Sequence, residues 1–193
     1  MGLDLPELHA AALESTRRIV AAIGGAQWHD GTPCPPWDVR ELVNHIVTGN
    51  WWAAELAAGA TIESVGDRLD GDVLADDALA AYDASAGAAA AVFRRAGAME
   101  APAAVSYGPV RGEVYCGHRF IDVLIHGWDA AVATRQPADL APELVDACLA
   151  VVEPQAESLA GSGAFGSTVA VAPDADAQTL LLAMLGRDAR IAR

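Results

Sequence analysis

Apolar residues recur at helical intervals along this chain. Leu5, Leu8, Ala12, Ile19 and Ile23 step by threes, fours and one double interval as far as Gly24-Gly25. Val39, Leu42, Val43, Ile46 and Val47 then repeat the pattern. Val, Ile and Thr never gather into alternating runs of strand length, so the spacing predicts an all-α fold. The first helix is expected to stop at the glycine pair, capped by glycine. Residues 28–37 hold three prolines and a glycine and must form a loop.

That loop leads into a strong helix start. Asp38 can cap the helix while Glu41, three positions on, reaches back in a capping box, which predicts a second helix over 39–58. A polar, mixed stretch over 59–73 precedes a third helix, from the acidic start at Asp76-Asp77 through the alanine-rich run to Arg95. Residues 104–110 fit either a loop or a short hairpin arm. A fourth helix is expected over 113–134 and a fifth over 142–159, with Pro154 kinking or splitting the latter. A glycine-rich tail, 161–173, contains one short extended piece at 168–171, and a last helix spans 175–185. The expected architecture is an antiparallel four-helix bundle with extra C-terminal helical and loop segments. No internal repeat or linker divides it, so residues 1–193 are expected to form a single domain.

The charge balance excludes some partners. Twelve arginines, with no lysine, face 26 acidic residues for a net charge of −14, which argues against nucleic acid and anionic membrane. No window approaches the ~20 unbroken apolar residues of a membrane span. The N-terminus is acidic where a signal peptide would be basic, and a cytoplasmic location is expected. Cys34, Cys116 and Cys148 are scattered without a Cys-x-x-Cys pair, which fits neither a disulfide framework nor a thiolate metal cage.

The fourth helix carries the chemistry. His118, Asp122 and His126 recur every four residues along one stripe bordered by Ile121, Leu124 and Ile125. Residues four apart rise about 6 Å and can share one metal ion, as Asp122 and His126 would. His118 and His126 are separated by ~12 Å along the helix, which places His118 outside the same ion's reach. A third ligand must then come from another helix, and His45, between Leu42 and Ile46 at the margin of the core face, is the best candidate. Nothing in the context of His9 or His29 recommends either. The plainer alternative stays open at this point: hydrogen-bonded core histidines, and an Asp122 that simply pairs with Arg119. Asp129 reads as a residue supporting a ligand or lying on the helix surface. Trp37, Trp51, Trp52 and Trp128 read as packing aromatics first and pocket walls second.

Three stretches carry a resemblance to a known superfamily. Thr32-Pro33-Cys34 is followed by the run from Trp37 to His45; the run from Asp122 to Asp129 comes next, and Leu185-Gly186-Arg187 is the last of them. Together they resemble the DinB-like proteins and the N-terminal domain of mycothiol-dependent maleylpyruvate isomerase, in an actinobacterial metal-binding branch. The resemblance implies a four-helix bundle holding a metal through His45, Asp122 and His126. Relatives often have histidine, or in the isomerase glutamate, where this chain has Asp122, so an anionic oxygen ligand is kept with shorter reach. Zinc is the first choice for two imidazoles and a carboxylate with an open position, with nickel, manganese or iron as alternatives.

The resemblance further implies a small-molecule substrate, a low-molecular-weight thiol such as mycothiol as cosubstrate, and a homodimer. The leading expectation is a metal-dependent thiol S-transferase or isomerase whose nucleophile belongs to the cosubstrate. Cys34 need not then be catalytic, in a rigid proline loop near the mouth of the bundle. Arg119 is expected in a structural ion pair. A metal-dependent hydrolase is the enzymatic alternative, and a metal-stabilised binding or sensor module the non-enzymatic one.

Overall fold

The computed structural model describes residues 2–161 and 166–192 and is mostly helical. Its helices are α1 (Leu5–Ala21), α2 (Val39–Leu56), α3 (Ile62–Val65), α4 (Ala78–Phe93), α5 (Gly112–Ala133), α6 (Pro142–Val152), α7 (Ala156–Gly161) and α8 (Ala177–Met184). The undecided arm before α5 is an antiparallel hairpin, β1 (Pro102–Val105) with β2 (Gly108–Arg111), in which Ala103 pairs with Val110. Among the described residues no helix is long and apolar enough to cross a membrane.

Local chemistry accounts for most helix ends. Asp38 accepts the Glu41 amide at 2.9 Å while the Glu41 carboxylate accepts the Asp38 amide at 3.0 Å, the expected capping box. Pro154 splits the fifth expected helix: α6 ends at Val152, one 3-10 turn spans Glu153–Gln155, and α7 follows. The final expected helix is shorter, with Asp176 capping α8 through the Thr179 amide. The polar stretch after α2 contains the short α3, and the 168–171 segment forms no strand. Part of the glycine-rich tail, 162–165, lies outside the described residues.

The first helix corrects the sequence reading twice. It ends at Ala21 rather than at the glycine pair, because the Ala22 and Ile23 amides turn back to the Ile19 and Val20 carbonyls and close the last turn. Its buried face is Leu5, His9, Ala12, Leu13, Thr16 and Val20. Of the expected stripe, Leu5 and Ala12 lie on this face, Leu8 and Ile23 pack partly buried beside it and Ile19 is half-buried, while the face also includes two polar residues, His9 and Thr16.

α1 packs against α5 and α4, and α2 packs against α4 and α5. On α2, Leu42, Val43, Ile46 and Val47 are fully buried, each contributing roughly 1.5–3 kcal/mol relative to exposure. Hydrogen bonds pin the helices in register: Thr16 Oγ1 donates to the Val123 carbonyl at 3.0 Å and Tyr82 Oη to the Leu13 carbonyl at 2.8 Å. α6 packs on α8 and touches α1 and α5. These contacts set one face of α5 opposite α2, with the 28–38 loop folded over its end.

Candidate metal centre

Two helices and one loop build the site. His45 lies in the second turn of α2, launched by the Asp38 cap, and Asp122 and His126 lie one turn apart on α5. The loop that delivers α2 is itself tied down: the Val39 and Arg40 amides donate to the Asp30 and Trp28 carbonyls. Trp37, on that loop, stacks on the His45 ring with centroids 4.7 Å apart, so it is a pocket wall as well as a packing aromatic. Trp128 by contrast is fully buried in the core.

One carboxylate oxygen is the hub. Asp122 Oδ1 is 3.3 Å from His45 Nε2 and 3.6 Å from His126 Nε2, and the three donor atoms all lie within 4.8 Å of one another. Four-coordinate zinc with bonds of 2.0–2.1 Å spaces its ligand atoms about 3.4 Å apart, which these separations match. His118 is elsewhere: its Nδ1 meets Tyr107 Oη at 2.8 Å and its Nε2 meets Gln155 Oε1 at 3.0 Å.

The protonation pattern supports a cation in this cluster. His126 Nδ1 lies 3.0 Å from Asp129 Oδ2. Burial pushes the Asp129 carboxyl up, but hydrogen bonds from His126 and Arg187 together with the Arg187 charge hold it below the usual carboxylate range. An ionised carboxylate can only accept, so His126 carries a proton on Nδ1 and turns Nε2 toward Asp122. A lone pair and a carboxylate oxygen 3.6 Å apart repel unless a proton or a metal stands between them. The residues present fit a divalent metal.

Each acidic partner is held by a buried arginine. Arg119 Nη1 donates to Asp122 Oδ2 at 2.8 Å and Nη2 to Asn50 Oδ1 at 3.3 Å, while Asn50 Nδ2 donates to Ser85 Oγ. Burial again opposes ionisation of Asp122, and the charge of Arg119, then of His126, overcomes it and lowers the pKa. The pairing with Arg119 that the sequence offered as an alternative to metal ligation thus exists, but it uses the other oxygen. Asp129 is wholly buried, so its reading as a surface residue is excluded and its reading as a support for His126 holds.

Cys34 completes the wall. Its thiol donates to Asp129 Oδ2 at 3.0 Å and lies 3.8 Å from His126 Nδ1, giving a second three-donor group, Cys34, His126 and Asp129. Burial, then the Asp129 charge, pushes this thiol up to about 12, so it stays protonated at neutral pH. Two clefts meet at His45. One, of about 580 Å³, is lined by Cys34, Trp37, Asp122, His126 and Arg187, and the other, of about 560 Å³, by Arg40, Asn44, Thr48, Trp52 and Asp72.

Sequence reasoning missed the roles of Arg187 and His9. Arg187 was singled out only within a resembling motif, and its partners lie 58 and 153 residues away. His9 is fully buried against Phe93. The signal for His9 was its place four residues after Leu5 on the true buried face.

Two helices of a mostly helical chain thus converge on one three-donor cluster, and the known proteins this chain resembles share that stretch of it. Residues 9–131 match the family described as mycothiol maleylpyruvate isomerase N-terminal domain. The chain belongs to this DinB-like family. Two uncharacterised proteins of Mycobacterium tuberculosis, one from strain CDC 1551 / Oshkosh and one from strain H37Rv, are each 34% identical over 151 residues. The alignments cover 76% of this chain and 79% of each relative. No solved structure matches the chain significantly.

Proposed function

We propose that this protein is a metal-dependent enzyme that uses a low-molecular-weight thiol of the mycothiol type, for S-transfer to a small electrophile or for its isomerisation. The observation that carries the reading is the convergence of His45 Nε2, Asp122 Oδ1 and His126 Nε2 at the junction of two clefts. His45, Asp122 and His126 would hold the ion, with zinc as the first candidate. The chemistry such an ion supplies is loss of the proton of a coordinated thiol, so that a thiolate exists at neutral pH.

The chain's own residues prepare that chemistry. Arg119 keeps Asp122 ionised, Asp129 keeps the His126 proton on Nδ1, and Trp37 shields one face of His45. Cys34 is held as a neutral thiol and does not compete as a nucleophile. On this reading α1, α2, α4 and α5 form the DinB-type four-helix bundle within a single domain, and the enzyme is a cytoplasmic homodimer.

The test is a cobalt titration followed by thiols. One equivalent of Co(II) is expected to give a visible spectrum, and mycothiol or N-acetylcysteine to add a sulfur-to-cobalt charge-transfer band. The band should persist in Cys34→Ser, which separates the added thiol from the protein's own. A cobalt spectrum that no thiol moves refutes the thiol chemistry, and failure to take up cobalt refutes the metal site itself.

A further inference from the structure

The Leu185-Gly186-Arg187 motif is a helix stop that aims an arginine at the metal centre. At the end of α8 the Gly186 amide donates to the Ala183 carbonyl and the Arg187 amide to the Leu182 carbonyl at 2.8 Å, the paired bonds of a Schellman turn. Gly186 takes φ +77, and a Cβ there would fall 2.5 Å from the Gly166 Cα, so the motif requires glycine. The reversal sends Arg187 inward, to 6% exposure, against the wall of the cleft. This segment lies outside residues 9–131, the part of the chain matched by the family.

The guanidinium grips Asp129 at two points, Nε to Oδ1 at 3.3 Å and Nη2 to Oδ2 at 2.8 Å. Nη2 also reaches Cys34 Sγ at 3.1 Å, and Nη1 donates to the Leu185 carbonyl at 2.7 Å. Two of the three donors of the Cys34, His126 and Asp129 group therefore already face a fixed cation, whose charge opposes a second metal position there. Asp129 Oδ2 receives Arg187, Cys34 and His126 together. An arginine can only donate, so its two bonds fix the plane of the carboxylate and with it the oxygen that meets His126 Nδ1. Without those bonds the carboxylate is free to turn from Nδ1, and the imidazole proton can pass to Nε2, where Asp122 Oδ1 lies 3.6 Å away to accept it and the metal-facing nitrogen is blocked.

We infer that Arg187 is a positioning residue: by fixing Asp129 against Nδ1, it sets the tautomer of His126 that leaves Nε2 free to bind a metal. The inference rests on the ligand set proposed above but is measured without metal. In the metal-free, nitrogen-15-labelled protein, long-range proton–nitrogen spectra are expected to show His126 as the Nδ1–H tautomer, with its signals assigned by their loss in His126→Asn. Arg187→Met is expected to shift His126 toward Nε2–H and to weaken Co(II) binding roughly 10–100-fold, the usual effect of losing a partner behind a ligand. Arg187→Lys should recover part of both.

An Nε2–H tautomer in the unsubstituted protein overturns the inference, and this measurement needs no variant to fold. So does an Arg187→Met protein, folded by circular dichroism, that keeps both the tautomer and the affinity. Failure of the ligand set looks different: the tautomer responds to Arg187 while the unsubstituted protein takes up no cobalt.

Discussion

Replacing Gly49 by alanine should destabilise this protein, against the sign that helix propensity gives. Gly49 lies inside α2, where the exchange ordinarily stabilises a helix by about 1 kcal/mol. A Cβ at this position, however, would lie 2.6 Å from both Cζ and Nη2 of Arg119. Ordinary carbon contacts begin near 3.5 Å, so the guanidinium must withdraw by about 1 Å. It has little freedom to do so, being enclosed and held by Asp122 at 2.8 Å and Asn50 at 3.3 Å. Its Nε has no hydrogen-bond partner among the described residues, so withdrawal trades existing bonds for none in sight.

Hydrogen bonds to charged groups contribute about 1.5–3 kcal/mol each, and overpacking a core costs about 1–3 kcal/mol. Set against the propensity gain, Gly49→Ala should lose roughly 1–3 kcal/mol in urea denaturation of the metal-free protein. In an Arg119→Ala background the obstacle is gone, and the same change should stabilise by about 1 kcal/mol, a coupling that a double-mutant cycle reads directly. A Gly49→Ala protein more stable than the parent would refute the reasoning, because it would mean that Arg119 does not fill the space beside α2.

Two further predictions test the buried polar groups. Burial, then the charges of Arg119 and Arg94, lowers the His9 pKa from 6.5 to about 3, so between those values the unfolded chain binds more protons than the native one. Stability from this group is therefore complete above pH 6.5 and lost as pH falls toward 3; chemical denaturation at pH 7.5 and pH 5 should show the fall, and His9→Leu should flatten it, with an equal fall in both proteins sinking the assignment. For the metal, His45→Ala, Asp122→Ala and His126→Ala should each abolish stoichiometric Co(II) binding by equilibrium dialysis while His118→Ala retains it; equal loss in all four would show that the cluster is drawn around the wrong residues.

What could be read from the sequence divides along a physical line. Elements governed by neighbours in the chain were legible: the Asp38–Glu41 capping box, the break at Pro154, and the alignment of Asp122 with His126 all follow from fixed helical spacing. Spacing also placed His118 outside the cluster, and the structure gives it to Tyr107 and Gln155. The face of α1 was drawn without its full centre because His9 and Thr16 are buried, and an apolar period is blind to buried polar residues. Residues 104–110 stayed ambiguous because a four-residue strand has too few alternations to declare itself.

The site's supporting contacts obey no period at all. Arg187 meets Cys34 across 153 residues of sequence and Asp129 across 58, and only the packed helices bring those ends together. Yet the two arginines occupy parallel positions: Arg119 holds the carboxylate at the hub of the three-donor cluster, and Arg187 holds the carboxylate behind one of its imidazoles. In a chain of net charge −14, holding the partly buried Asp122 and the fully buried Asp129 ionised on either side of His126 calls for a cation beside each, and this fold provides one from α5 itself and one from the turn after α8. The proposed ligand donors are therefore local to α2 and α5, while the contacts that hold Asp122 and Asp129 ionised come from the whole fold. Substitutions at residues outside the cluster, at Gly49 or Arg187, should reach the metal affinity through that route.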